Sequence, residues 1–343
     1  MSTKINKKTR ESNFELLRML AMFLVLLVHA DFFSIGRPNL QDILTETLDS
    51  TLRIFFEALS IVCVNVFVLI SGWFGIRPSL KGISSFVFQC LFFLIGLYSV
   101  SLAIGTSTLS LEGIANCFAA TRFEWFIKAY LFLYILSPVL NAFVEHADRV
   151  VFRNVIIGSF VFTCTYGWIG AAAFMVKGYT TLFFITIYLL ARYMKIYKPR
   201  LTKFHSFTDF LIYIAVACLV TALCVTPPLV VGYDFQPYWN YISPTTVIGA
   251  VYLLLAFSKL KLQSRFVNWC GTSCFAVYLV HMNPNTINFY KTIFVYLHTT
   301  LSTFEFWGVT FVVLTTIFFV AILIDQLRIV LWNKVWLLIE RNK

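Results

Sequence analysis

The sequence predicts an all-α polytopic membrane protein with about ten transmembrane helices and both termini in the cytoplasm. Three observations carry that reading. First, 59% of the 343 residues are hydrophobic and only 13% are charged, about half the charged share of a soluble domain. A chain with 37 Phe, 16 Tyr and 8 Trp presents more apolar surface than a soluble fold of this length can hide. Second, apolar runs of about twenty residues, enough to cross the hydrocarbon core, recur from end to end. Third, the basic residues are distributed unevenly between alternate loops, as membrane orientation requires.

The first span covers Met19–Ala30, extended by Phe14, Leu16 and Leu17 before it and by Phe32 and Phe33 after it. No small-x-small cleavage site follows, so it reads as a retained span rather than a removed signal peptide. Further spans are expected near 54–76, 83–105, 124–144, 154–172, 178–194, 207–229, 240–258, 266–288 and 304–326. The stretch 105–122 has room for a surface helix, and the turn around Lys177 is short. With the N-terminus inside, the inner segments 1–18, 77–81, 145–153, 192–205, 259–265 and 328–343 hold 21 of the 27 Lys and Arg. That split is the positive-inside signature. It also explains the net charge of +11, which in a soluble protein would suggest nucleic acid; here no nucleic-acid partner is expected. Residues 1–343 read as a single membrane-embedded domain, with a cytoplasmic tail over 1–13 and a cytoplasmic C-terminal segment over 327–343. The eight cysteines form no Cys-x-x-Cys pair and read as small packing residues, not as metal ligands or a disulfide framework.

Polar groups inside spans are costly, and each needs a reason. Arg18 and His29 stand eleven residues apart, a spacing that returns to the same helix face after a rise of about 16 Å. Glu15, Arg18, Met22, Val25 and His29 therefore form one stripe. Arg18 is either a snorkelling anchor or an anion-binding group. His29 is either an interfacial histidine or part of a buried site. His281 lies 16 residues after Arg265, so it is expected at the depth of His29, nearer the outer face. The two rings either bond neighbouring helices separately or line one polar site. In the second span, Asn65 and Ser71 are the polar members, and Ser71-Gly72 suits close helix packing. Arg122, Glu124, Trp125 and Lys128 crowd one membrane edge, as an ion-pair cluster or as the mouth of a polar pocket. The run Arg192, Lys195, Lys198, Arg200 and Lys203 suits anionic lipid head groups, or a phosphorylated cytoplasmic ligand. Asp31 and Glu57 are the acidic residues nearest the outer face, and they read as isolated. No P-loop, Gly-x-Gly-x-x-Gly, His-Glu-x-x-His or Gly-x-Ser-x-Gly motif is present, and no metal site is expected.

Four stretches, in order, resemble the acyltransferase-3 superfamily of bacterial integral-membrane O-acyltransferases. Asn13-Phe-Glu-Leu-Leu-Arg18 followed by His29 is similar to its Arg-x10-His signature. Asn65-Val-Phe-Val-Leu-Ile-Ser-Gly72 is similar to its second-span Phe-x-x-Ser-Gly motif. Trp125-Phe-Ile through Tyr134-Ile-Leu-Ser-Pro138 and Gly271-Thr-Ser-Cys-Phe-Ala-Val-Tyr278-Leu-Val-His281 are similar to two later family spans. Some members carry Arg-x-x-Arg after the second span; here Arg77-Pro-Ser-Leu-Lys81 stands there.

The resemblance implies transfer of an acyl group, commonly acetyl, from cytoplasmic acetyl-CoA to a hydroxyl of a surface polysaccharide or lipid-linked glycan. It implies a multi-pass protein of the bacterial cytoplasmic membrane, in contact with membrane lipids and with no permanently bound cofactor. By position, His29 and His281 take the catalytic places. Arg18 and Tyr278 take donor- or substrate-binding places, and Glu124, Trp125 and Lys128 are expected to bind substrate as the mouth of the polar pocket. The competing reading is a transporter or flippase for a polar or lipid-linked solute, since intramembrane His and Arg also suit a proton-coupled carrier. Inverted repeats would favour it, and the sequence has none. A lipid-donor glycosyltransferase would want paired outer-face carboxylates.

Overall fold

The structure is a computed structural model that describes residues 10–118, 125–170, 172 and 175–341. Among these residues the fold is helical throughout, with no strand. The helices are α1 (Ser12–Ala30), α2 (Leu40–Thr45), α3 (Thr47–Ser60), α4 (Cys63–Phe74), α5 (Leu80–Ala103), α6 (Leu111–Cys117) and α7 (Trp125–His146), followed by α8 (Arg149–Phe162), α9 (Thr181–Tyr197), α10 (Ser206–Val231), α11 (Pro244–Ser258), α12 (Arg265–His281), α13 (Ile287–Thr300) and α14 (Thr303–Arg341). A π-helical turn, Thr163–Ile169, extends α8.

Each expected span falls on a helix. Seven helical segments are long and apolar enough to cross a membrane: α1, α3 with α4, α5, α7, α8 with its π turn, α10 and α14. The other three expected spans coincide with the shorter helices α9, α11 and α12. Three features depart from the sequence reading. The second span begins at Thr47, not near 54, because α3 runs almost directly into α4. The run 266–288 breaks at His281, where the Asn283 carbonyl accepts from the Thr286 and Ile287 amides and Pro284 offers no amide to continue a helix. A separate α13 follows. Lastly, α14 does not stop near 326 but continues to Arg341.

The centre of the bundle is α1, packed against α12, α4, α3 and α11, with α4 also lying against α9. Leu17, Ala21, Leu26 and Ala30 of α1 have no exposed surface. Two glycines permit the closest approaches. A Cβ on Gly72 of α4 would collide with the Tyr188 carbonyl and with Ala191 of α9. A Cβ on Gly271 of α12 would collide with the Glu15 side chain of α1. The peripheral helices α5, α7, α8, α10 and α14 keep large apolar side chains on the outside, the distribution of lipid-facing helices. Helix starts are set by side-chain caps: Ser79, Ser110, Asp148, Thr180 and Ser264 each accept a backbone amide of the first turn, as capping requires.

Candidate active site

His29 and His281 occupy equivalent positions, one residue before the end of α1 and at the last residue of α12. The packing of α1 on α12 brings the rings into contact, with His29 Nδ1 at 2.9 Å from His281 Nε2. His281 Nδ1 lies 2.6 Å from the Val277 carbonyl oxygen. With both rings neutral, these two contacts fix the protons. A carbonyl only accepts, so His281 carries its proton on Nδ1 and presents a lone pair at Nε2. His29 must then donate from Nδ1, which leaves His29 Nε2 as an unprotonated acceptor. Tyr290 closes the far side, its ring 5.3 Å from that of His281 and its hydroxyl donating to the Leu26 carbonyl at 2.6 Å. The result is a neutral chain from backbone carbonyl through two imidazoles.

His29 lines a cavity of about 390 Å³, within the usual range of small-molecule sites. His281 is buried behind it and is not part of the wall. Met22, Val25 and Val28 of α1 form the floor beside His29, and α12 contributes Phe275 and Tyr278. Trp125 and Phe126 enter from α7, Tyr179 from the segment before α9, and Trp239 and Tyr241 from the segment before α11. The sequence motif residue Asn65 holds that last segment in place: its amide donates to the Tyr241 carbonyl at 2.9 Å. The Tyr241 amide donates to the Lys177 carbonyl at 3.1 Å, so both connecting segments are tied together over the cavity.

Arg18 lies at the opposite end of α1 and pairs with the buried carboxylate of Glu15, against Gly271. Other cations gather at this end. The Arg192 guanidinium lies against Gly75, and its Nε is buried without a partner. Lys195 Nζ stands 4.7 Å from the centre of the Trp73 ring. Tyr130 and Ser71 share a hydrogen bond at 3.0 Å between this end and the cavity. α14 adds a buried pair in which Arg328 donates to Asp325 at 2.8 and 2.6 Å, with Gln89 donating to the same carboxylate at 3.0 Å.

Of the residues singled out in the sequence, His29, Trp125 and Tyr278 meet in the cavity wall, and His281 stands directly behind it. Arg18 is at the other end of the same helix. Lys128 is exposed on α7 and is not among the wall residues. Arg122 and Glu124 lie outside the described residues. The view of Asp31 as isolated is corrected: Arg53 Nε donates to it at 2.7 Å in a buried ion pair, and the same guanidinium reaches the Gly36 carbonyl. Glu57, which also reads as isolated in the sequence, is in the wall.

The family model for the acyltransferase-3 acyltransferase domain matches residues 11–325. The chain belongs to this family. It is therefore an acyltransferase of a multi-pass membrane family, and the match spans every cavity element described above. No curated protein and no solved structure matches the chain.

Proposed function

We propose that this acyltransferase moves an acetyl group from cytoplasmic acetyl-CoA to a hydroxyl of a surface polysaccharide or lipid-linked glycan, in the bacterial cytoplasmic membrane. The observation that carries the reading is the neutral histidine relay ending at an aromatic cavity. A hydroxyl is a weak nucleophile and needs a base at the moment of attack. His29 Nε2 is that base. It takes the hydroxyl proton as the oxygen attacks the thioester carbonyl carbon, and the positive charge formed is held by the hydrogen bond from its Nδ1 to His281. When the tetrahedral intermediate collapses, the carbon–sulfur bond breaks and His29 returns its proton to the thiolate of CoA. The tyrosine hydroxyls and Trp125 of the wall supply donors for the oxyanion. His281 acts through His29 and is a positioning residue.

The donor is assigned to the far end of α1. Arg18, with Arg192 and Lys195 nearby, offers charge-assisted bonds to CoA phosphates. The regular helix separates Arg18 from His29 by about 16 Å, a distance suited to a long donor whose phosphates and thioester lie apart. On this reading Arg18 stands on the cytoplasmic side and the cavity nearer the outer face, the orientation that the distribution of Lys and Arg supports. Family membership favours acyl transfer over the transporter reading.

The test is incubation of the purified protein with radiolabelled acetyl-CoA and a membrane glycan extract. Label should pass to the glycan with the wild type and not with His29→Ala. Absence of transfer by the folded wild type would overturn the reading.

A further inference from the structure

Glu57 sits on α3, a helix that none of the family-like motifs includes. Its side chain is buried, with 4% of the residue exposed, and it lines the same cavity as His29. Among the described residues no donor lies within hydrogen-bonding reach of its carboxyl. Arg53, one turn earlier on the same face, is the natural partner, but its guanidinium is committed to Asp31 and to the Gly36 carbonyl. The neighbours of Glu57 in the wall are Cys63, Tyr179 and Tyr241. A carboxyl withdrawn from water without a partner is unfavourable, so a group retained there finds its partner in whatever occupies the cavity.

The cavity specifies the chemistry of that occupant. Its walls are aromatic rings from six separate segments, with Trp125 and Tyr241 at 5.8 Å and tilted by only 28°. Against them, among the described residues, stand one carboxyl and one imidazole as the strongly polar groups. Flat apolar faces beside a single carboxyl suit a ring with C–H faces and hydroxyl edges. A carboxyl accepts hydrogen bonds from hydroxyls and, when protonated, donates one. It repels an anionic group placed against it.

We propose that Glu57 determines acceptor specificity: its carboxyl binds hydroxyls of an uncharged sugar ring stacked against the aromatic wall, presenting a neighbouring hydroxyl to His29. This rests on the acyl-transfer reading above and extends it to the acceptor. Glu57 holds the sugar, and the proton transfer belongs to His29. Loss of the carboxyl therefore weakens acceptor binding and leaves donor binding in place. A site built to bond a hydroxyl discriminates far more strongly than an apolar pocket.

The experiment uses the purified full-length chain in lipid nanodiscs, radiolabelled acetyl-CoA, and the membrane glycan extract titrated in hexose equivalents. Apparent KM is measured separately for each substrate. Glu57→Ala should raise the KM for the extract at least tenfold while the KM for acetyl-CoA stays within twofold. Glu57→Gln keeps the shape and can still bond hydroxyls, so it should fold like the wild type and recover most of the acceptor affinity. An unchanged extract KM in Glu57→Ala overturns the proposal, as does an equal rise in both KM values, which marks a general structural defect. A wild type that labels no glycan overturns the acyl-transfer reading itself, and the assignment of Glu57 with it.

Discussion

Replacing His281 by Leu removes the lone pair that receives the His29 Nδ1–H at 2.9 Å and leaves the volume of the site roughly filled. Two consequences follow. The resting tautomer of His29 is no longer fixed, and the imidazolium formed during transfer loses the bond that holds its charge. A hydrogen bond to a charged group contributes about 1.5–3 kcal/mol. At about 1.4 kcal/mol per decade of rate, kcat should fall roughly 10- to 150-fold. His29→Ala removes the base outright and should cost on the order of 10²–10⁴ in rate. The order of the two losses is therefore set by the geometry. His281→Gln offers an amide oxygen in place of Nε2 and should recover part of the loss, although it cannot reproduce the bond to Val277. The assay is single-turnover transfer of label from acetyl-CoA, normalised to folded protein in nanodiscs. Wild-type kcat in His281→Leu would refute the relay. A loss in His281→Leu greater than in His29→Ala would also refute it, because His281 would then be the base.

Arg18→Ala should raise the KM for acetyl-CoA at least tenfold, with Arg18→Lys recovering only part because a forked guanidinium is lost; KM titration checks this, and an unchanged donor KM would leave Arg18 as an anchor. Gly72→Ala drives a methyl group into the Tyr188 carbonyl and should destabilise the protein by about 1–3 kcal/mol, read as a lower thermal midpoint; an unchanged midpoint would show that α4 and α9 can separate freely. Reporter fusions after Lys198 and after Lys343 should both report cytoplasm, and a periplasmic signal at either would overturn the orientation.

The helices were legible wherever apolar runs were uninterrupted, because a membrane leaves the backbone little choice but to bond within its own segment. Boundaries went astray where charged residues are buried inside the bundle. Asp49, Arg53 and Glu57 hide the start of the second span, yet all three are buried. Asp325 and Arg328 suggest an exit from the membrane near 326, but they pair with each other, and α14 passes through them. At the site, equal spacing from the inner boundary placed His29 and His281 at one depth. Their direct contact depends on α1 lying against α12, which no local pattern encodes. The aromatic wall was harder still. Tyr179, Trp239 and Tyr241 come from connecting segments whose positions are set by distant bonds, such as that from Asn65. The dense run Tyr238-Trp239-Asn240-Tyr241 was the available signal. Glu57 was discounted because a lone carboxylate in a sequence carries no sign of the cavity it faces.

The relay ends on the backbone carbonyl of Val277, where many hydrolytic enzymes place a carboxylate behind the histidine. A carboxylate would put a permanent negative charge at membrane depth, where an ion is held only at considerable cost. A carbonyl orients the ring just as well and is neutral at rest. Between turnovers this chain of groups asks nothing of the bilayer, and charge exists there only while a proton is in transit. A neutral terminus also pulls less strongly on that proton than an anion would. The arrangement therefore suits a reaction whose leaving group is a thiolate that takes the proton back within the same cycle. A backbone atom has no side chain to substitute, so the last link of the chain lies beyond the reach of any point mutation at its own position and depends only on the last turn of α12 remaining helical.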